Sequence, residues 1–153
     1  MRKTPARAAR TLMLRWLQRI LRIGGAEDAG ARGERIAAEW LRRERGFAVV
    51  TRNWRDPRDR RREIDLVCRD GEVLVFVEVK ARAVGARVPG YFAVNAEKKK
   101  VMKQAIAAYL KRLAVPPRTF RFDVVEVAHD AKCGAAEVLH FENIPLFPKQ
   151  YRG

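Results

Sequence analysis

The alternation of apolar and polar residues along the chain predicts a mixed α/β protein. Apolar residues at every third or fourth position indicate helices, and short runs of β-branched and aromatic residues indicate strands. The expected order is helix, helix, strand, a two-stranded hairpin, helix, strand and strand, which is a mixed α/β layout. The predicted helices span 1–25, 28–45 and 95–113, and the predicted strands span 47–52, 63–69, 72–80, 119–128 and 136–141.

The predicted hairpin is the most informative stretch. Its second run, 73–77, is too apolar for a surface strand, so we expect it in the middle of a sheet. The dipeptide Asp70-Gly71 favours a two-residue turn, and that register sets Asp65 opposite Phe76. Because side chains alternate between faces, the charged residues of the hairpin would share one face and the apolar residues the other. The charged set is Glu63, Asp65, Glu78 and Lys80; the apolar set is Ile64, Leu66, Val73, Val75, Val77 and Val79.

In this register Asp65 and Glu78 are diagonal neighbours across the two strands. Two carboxylates about 6 Å apart, at an effective dielectric constant of about 20, repel each other by about 3 kcal/mol. A favourable cross-strand pair contributes only about 0.2–1 kcal/mol, so the charged face needs counter-ions. Lys80 is one, and a divalent cation such as Mg²⁺ or Mn²⁺ would offset more of the repulsion. An ion-pair network with neighbouring arginines is the competing interpretation, and the pattern alone leaves both open.

Composition adds a strong positive charge to this picture. The 153 residues are enough for one domain with its own core, and 33 Lys and Arg against 18 Asp and Glu leave a formal charge of +15. Such a surplus attracts polyanions: nucleic acid first, with an anionic membrane surface as the second candidate and solubility as the plain alternative. Cys68 and Cys133 fit neither a metal-ligand spacing nor a disulfide framework, which suggests a reducing compartment and a cytoplasmic location. No apolar run approaches the ~20 residues that cross a bilayer.

Residues 1–25 carry seven basic residues and no acidic one. Their apolar residues recur at helical spacing, which predicts a basic amphipathic helix that ends at Gly24-Gly25. This helix could bind phosphates, lie on a membrane surface, or pack on the domain or on a partner, and in composition it resembles an organellar presequence. The sequence does not choose among these roles.

Two further segments carry candidate binding residues. The predicted loop 53–62 is rich in arginine and includes Trp54, so it could grip phosphates and stack a base, or it could be solvated with Trp54 turned inward. In the third helix, which Asn95 would cap, lysines concentrate in the first half, where the helix dipole disfavours them and an external anion would compensate.

Glu34 lies early in the second helix and has two interpretations. It could be a carboxylate that is stabilised by the positive end of the helix dipole, or it could be a ligand that reaches toward the hairpin. The pattern favours the first.

The hairpin also carries a resemblance to known proteins. Asp65, twelve intervening residues and Glu78-Val79-Lys80 resemble the D…(D/E)-x-K core of the restriction-endonuclease-like nuclease superfamily. Over roughly 30–147 the chain closely resembles the YraN-like bacterial family, which is related to Holliday-junction resolvases. Two departures are Arg62, where the family usually has Gly, and residues 1–25, which the family usually lacks. The motifs that carry the resemblance are Gly30-Ala31-Arg32-Gly33-Glu34, Arg52-Asn53-Trp54-Arg55, Glu63-Ile64-Asp65-Leu66-Val67, Phe76-Val77-Glu78-Val79-Lys80-Ala81-Arg82 and Arg121-Phe122-Asp123-Val124-Val125.

The resemblance implies a mixed β-sheet flanked by helices in a single nuclease-like domain, 26–153, preceded by the basic extension 1–25. It implies a Mg²⁺-dependent (or Mn²⁺-dependent) endonuclease acting on DNA, including branched or structured DNA, with a non-catalytic nucleic-acid-binding module of the same fold as the alternative. A homodimer is a further expectation, since resolvase relatives are dimers. Lys80 would orient or deprotonate the attacking water, and Glu63 would support the metal ligands, which are Glu34, Asp65, Glu78 and the Val79 carbonyl. The expected nucleic-acid contacts are Arg52, Arg55, Arg82, Lys98 and Lys99, with Tyr91 as a further candidate.

Overall fold

The computed structural model describes residues 28–82, 95–130 and 134–146. These residues form one five-stranded sheet in the order β1-β2-β3-β4-β5, in which only β3 and β4 run parallel. The predicted mixed α/β fold is confirmed. The predicted helix 1–25, Tyr91 and Cys133 lie outside the described residues. The elements are α1 (Ala29–Glu44), β1 (Ala48–Asp56), β2 (Asp59–Asp70), β3 (Val73–Arg82), α2 (Ala96–Leu110), β4 (Thr119–His129) and β5 (Ala136–Phe141).

Helix α1 covers one face of the sheet and has the ends that its sequence predicts. The Asp28 side chain caps its first turn by accepting from the Gly30 N–H at 3.4 Å. Gly46, with φ of 70°, follows the last residues of the helix and provides the left-handed conformation that commonly ends one. The buried residues that α1 and this face contribute are Ala37, Ala38, Leu41, Phe47, Leu66, Cys68, Val75, Val77, Val125 and Val127.

Helix α2 covers the other face and links β3 to β4, because parallel neighbours need a long crossover connection. Asn95 accepts from the Lys98 N–H at 2.9 Å, so the predicted N-cap is confirmed, although the helix ends at Leu110 rather than near residue 113. In the part of the chain that the structure describes, neither helix is long and apolar enough to span a bilayer. The buried residues of this second face are Ile64, Val67, Leu74, Phe76, Met102, Ala105, Ile106, Tyr109, Phe122, Val124 and Leu146.

Strand β3 lies at the centre of the sheet, as its apolar run predicts. It is buried on both faces, with Val75 and Val77 toward α1 and Phe76 toward α2. The predicted division of side chains between the two faces is confirmed for the apolar set except Ile64, which packs on the α2 side. The opposite face of β3 is apolar as well at Leu74 and Phe76, and charge begins there only at Glu78. The confirmed members of the apolar set, which pack on the α1 side, are Leu66, Val73, Val75, Val77 and Val79.

The departure of Ile64 coincides with a break in the neighbouring strand. Its partner Trp54 follows Asn53, which has φ of 50°, and a left-handed residue inside a strand re-aims the side chains after it. Trp54 contacts the Tyr109 ring edge to face at 5.3 Å and packs against the α2-side core, so it is turned inward and partly buried. The predicted loop 53–62 is likewise wrong: β1 and β2 form a hairpin that only Pro57-Arg58 connects.

The β2–β3 turn lies one residue later than predicted. Asp70 pairs with Val73, so the connecting residues are Gly71 and Glu72, and Gly71 has φ of 55° at the first central position. Glycine in that position is typical of a type II′ hairpin turn, which explains why the loop shifts. The pairing moves by two residues along the partner strand, so Leu66 and Val77 at the end of the ladder keep the shared face that was predicted for them. The last paired residues are Leu66 and Val77, which makes Asp65 and Glu78 the next residues across from each other.

Close packing of α1 on the end of β3 yields a stability prediction at Gly33. A Cβ there would lie 3.8 Å from the Val79 Cγ1 and 4.0 Å from the Ala81 Cβ, which is ordinary van der Waals contact. Gly33→Ala should therefore stabilise the protein by about 0.5–1 kcal/mol through helix propensity. Gly33→Leu should destabilise it by about 1–3 kcal/mol because the larger side chain overpacks the contact. Chemical denaturation measures both.

Gly30 provides the control for this pair of substitutions, because it is exposed and an added Cβ meets only the Asp28 Oδ2 at 4.0 Å. Gly30→Leu should change the unfolding free energy much less than Gly33→Leu. Equal effects at the two positions would contradict the close approach of α1 to β3.

Candidate active site

The site begins where β2 and β3 part. Their ladder ends at the Leu66–Val77 pair, and beyond it the Asp65 Oδ2 accepts from the Val79 N–H at 2.8 Å. The Asp65 side chain therefore satisfies a backbone donor of the central strand that no β2 carbonyl reaches. This bond fixes the Asp65 carboxylate beside Glu78.

Glu78 is the buried carboxylate of the site, with a side chain that is only 5 % exposed. Its Oε1 lies 2.9 Å from the Lys80 Nζ on the same strand and 3.0 Å from the Lys98 Nζ on α2. Its Oε2 is buried and has no hydrogen-bond partner among the residues that the structure describes. A buried acceptor without a partner is costly, so this oxygen would gain from an external donor or cation.

The charges of the site act strongly on one another. Burial and the neighbouring Glu78 charge raise the pKa of Asp65 to about 7, with a smaller contribution from Glu34 on α1, although the Val79 N–H and Lys98 oppose the shift. Burial lowers the pKa of Lys98, but the charges of Glu78, Asp65 and Glu63 outweigh it, so that pKa is raised. The structure thus brings the predicted acidic residues into one electrostatic cluster and adds Lys98 as a counter-ion.

The predicted supporting residues occupy more varied positions. Glu63 pairs with Arg55 at 3.1 Å, which ties the β1–β2 hairpin to the cluster. Val79 contributes its N–H to Asp65, and its side chain packs on the α1 face. Its carbonyl as a metal ligand stays a prediction, as does Glu34 in that role.

Among the predicted nucleic-acid contacts, Arg52 is exposed on β1 and Lys99 is half-buried at the start of α2. Arg82 is only 10 % exposed, with its guanidinium 2.7 Å from Glu137 and 3.8 Å from Glu126. A phosphate contact from Arg82 would therefore have to compete with two carboxylates, and it stays a prediction.

Glu126 is a residue of this region that sequence reasoning missed. It is fully buried on β4 and lies opposite Lys80 in the parallel register. The sequence signal was a lone carboxylate inside the apolar run 124–128, the same signal that drew attention to Glu78.

The donor chemistry at the end of β3 fits a hard divalent cation. Among residues 28–82, 95–130 and 134–146, no three His, Cys, Asp or Glu side chains converge into a ready-made metal centre. Two oxygen donors are nevertheless in place, the Asp65 carboxylate and the unpartnered Glu78 Oε2. Mg²⁺ usually keeps several waters and binds through one or two carboxylates, so this pair is sufficient for it.

The fold and this cluster define an α/β protein that carries an acidic–lysine site at the end of the central strand of a mixed sheet. The family model described as "Uncharacterised protein family UPF0102" matches residues 33–127. The chain belongs to this family, which is the YraN family that its motifs resemble.

Individual relatives cover much of the same region, and each is described as a UPF0102 protein. The relative from Beutenbergia cavernae is 44 % identical over 120 residues, which span 78 % of this chain and 98 % of the relative. The relative from Anaeromyxobacter dehalogenans is 42 % identical over 117 residues, or 76 % of this chain and 83 % of the relative. The relative from Symbiobacterium thermophilum is 47 % identical over 100 residues, or 64 % of this chain and 80 % of the relative.

The raised pKa of Asp65 predicts how stability depends on pH in the absence of metal. The folded state holds the Asp65 proton up to about pH 7, whereas the unfolded chain, with a carboxyl pKa of 3.8, releases it much earlier. Between these values the unfolded state binds fewer protons, so stability falls as pH rises. Relative to Asp65→Asn, which keeps an acceptor for the Val79 N–H, the wild type should lose about 1–3 kcal/mol between pH 5 and pH 8.

Urea denaturation at a series of pH values in chelator measures this difference. Groups that titrate elsewhere contribute almost equally to the unfolding free energy of the wild type and of Asp65→Asn, so their contributions largely cancel in the comparison. A gap between wild type and variant that stays constant from pH 5 to pH 8 would contradict the crowding of Asp65 by burial and Glu78.

Proposed function

We propose that the protein is a Mg²⁺-dependent endonuclease that hydrolyses phosphodiester bonds in DNA, including branched or structured DNA. The observation that carries this proposal is the pairing of the half-buried Asp65 with the buried Glu78 at the end of the central strand, with two lysine ammonium groups within 3.0 Å of Glu78. Carboxylates for a divalent cation and a fixed cation for the phosphate form a plausible minimum apparatus for a bond that resists hydrolysis strongly.

Each residue of the cluster has a role in this proposal. Asp65, held by the Val79 N–H, and Glu78, through its unpartnered oxygen, would hold the metal ion. The bound ion would supply Lewis-acid stabilisation of the phosphate and a more acidic water. Lys80, whose side chain is 31 % exposed, can orient a water and donate to a phosphate oxygen that gains negative charge. Glu34 is close enough to influence Asp65 and would complete the ligand set.

The charge of the whole chain supports a nucleic-acid substrate. A formal charge of +15 on 153 residues creates a long-range field that attracts a polyanion, while the acidic pair, the buried Glu78 and the half-buried Asp65, is confined to one position. DNA would thus be drawn to the protein by the surrounding surface and reach the acidic pair only where a cation offsets the local repulsion.

A specific observation favours the alternative, a nucleic-acid-binding module that keeps the fold and does not cleave. Lys80 and Lys98 together already compensate one Glu78 oxygen, and a third acidic ligand is not in coordinating position among the described residues. In that case the cluster would be an ion-pair network that stabilises the end of β3.

Cleavage assays separate the two functions. Purified protein is incubated with linear duplex, single-stranded and four-way-junction DNA in Mg²⁺, Mn²⁺ or chelator. We expect metal-dependent cleavage that Asp65→Ala and Lys80→Ala each reduce by at least about 10²-fold, since each removes a group that acts on the reacting phosphate. Lys111→Ala, which removes an exposed lysine just beyond α2, is the matched control and should leave cleavage unchanged.

Two results would overturn the nuclease. Cleavage that is equal in wild type, Asp65→Ala and Lys80→Ala would identify a contaminant. Absence of cleavage on all three substrates with either metal, together with DNA binding that weakens steeply with salt, would establish the binding module instead.

A further inference from the structure

The tip of the β1–β2 hairpin carries a concentration of charge that the proposed active site does not use. We name residues 55–62 the arginine arm. The β1–β2 pairing continues beyond the last β2–β3 pair, Leu66–Val77, so the arm runs past the ladder that joins β2 to the rest of the sheet. From residue 52 to residue 63 the chain has six arginines and three carboxylates, a surplus of three positive charges.

Three consecutive arginines leave the ladder within this arm. Arg55 pairs with Glu63 and the next residue, Asp56, pairs with Asp59, so the three residues Arg60, Arg61 and Arg62 have no counterparts on β1. They form a bulge in β2. Bulges redirect side chains and occur often beside active sites, and this one lies directly before Glu63 and Asp65 on the same strand.

The carboxylates of the arm hold part of this arginine set in place. Asp56, which is 3 % exposed, accepts from the Arg58 N–H at 3.0 Å and from the Arg62 Nη1 at 3.2 Å. Asp59 binds the Arg61 guanidinium through two contacts of 2.9 Å, and this pairing lowers the pKa of Asp59 to about 2. The arm is therefore a built structure in which Asp56 and Asp59 each hold an arginine side chain.

Two arginines are left projecting by this arrangement. Arg58 and Arg60 are exposed, and neither side chain makes an ion pair with a residue that the structure describes. The base of the arm is tied down by the Arg55–Glu63 pair and by the contact of Trp54 with Tyr109. The two free guanidinium groups are thus presented from a fixed base.

The position of these groups suits a stiff substrate. Arg60 lies five positions before Asp65. In a fully extended chain these five steps span at most about 17 Å, which is the length of about five base pairs at 3.4 Å each. Duplex DNA is nearly rigid over that length, so one duplex can meet both points at a constant separation. A single strand is more flexible and gains less from a fixed second contact.

We propose that the arginine arm is a phosphate anchor for duplex DNA, in which Arg58 and Arg60 bind the backbone within about five base pairs of the bond that the Asp65–Glu78 site would cleave. This inference rests on the proposed function for its geometry. Because the anchor is a binding property, it can be measured where no cleavage takes place.

The test compares two double variants that remove the same charge. Arg58→Ala/Arg60→Ala removes the anchor, and Arg42→Ala/Arg43→Ala removes two arginines from α1, whose side chains are 61 % and 68 % exposed. Fluorescence anisotropy with a labelled duplex of about 20 base pairs and a single strand of equal length is recorded in chelator over a series of salt concentrations. Circular dichroism verifies that each variant is folded.

We expect the anchor variant to bind the duplex at least about tenfold more weakly, and its slope of log affinity against log salt to become shallower by about 1.8 for two lost phosphate contacts. The α1 variant should change duplex affinity by less than about threefold with an unaltered slope, since long-range charge alone is screened by salt. Arg58→Lys/Arg60→Lys keeps both charges and should keep most of the slope.

Equal losses in the two alanine variants would show that only net charge matters and would overturn the anchor. An unchanged affinity and slope in Arg58→Ala/Arg60→Ala would also overturn it. A loss of single-strand binding as large as that of duplex binding would overturn the duplex preference. These outcomes are distinct from failure of the nuclease, which is decided by cleavage in the presence of metal.

Discussion

The arrangement of this molecule depends on how the charged end of its buried central strand is compensated. The residues of β3 before Glu78 are buried on both faces, so the strand cannot turn its acidic residue to water without leaving the sheet. Two cations compensate the Glu78 charge: Lys80 on the same strand and Lys98 from α2. The Asp65–Val79 bond joins β2 to β3 after their ladder ends and places a second carboxylate beside Glu78, which adds to the charge that needs compensation. The crossover helix that the parallel β3–β4 pair requires is also the element that delivers Lys98.

Much of the fold could be predicted because it is encoded locally. The central place of β3 follows from an uninterrupted apolar run, and the caps Asp28 and Asn95 mark both helix starts. The β1–β2 hairpin could not be recognised in the same way, because its residues are mostly charged and resemble a solvated loop. Contacts outside the local pattern hold it, among them the packing of Trp54 on Tyr109, which is distant in sequence.

The part of the site that follows from the alternation of side chains along a strand could be predicted from the sequence. The predicted β2–β3 turn lies one residue too early, and this error shifts the predicted pairing by two residues. Because side chains alternate with a period of two, Asp65 and Glu78 are neighbours in both the predicted and the observed register. Contacts set by tertiary packing could not be read from the pattern. One such contact is the ion pair between Lys98 on α2 and Glu78 on β3. Another is the fully buried Asp123, which accepts from Arg121, from the Asn143 N–H and from His140, and the sequence pattern indicates no partner for His140.

The proposed function would make the binding of metal and the binding of DNA depend on each other. The overall positive field attracts a phosphate backbone, but at contact the Asp65 and Glu78 charges repel the phosphate that must lie beside them. A cation held by those carboxylates removes the repulsion, and a phosphate bound there provides the cation with a further oxygen ligand. By linkage each would raise the affinity of the other by the same factor. With that function, a strongly basic protein would gain from a small acidic site, because the DNA backbone would approach the site closely only when the metal ion is bound.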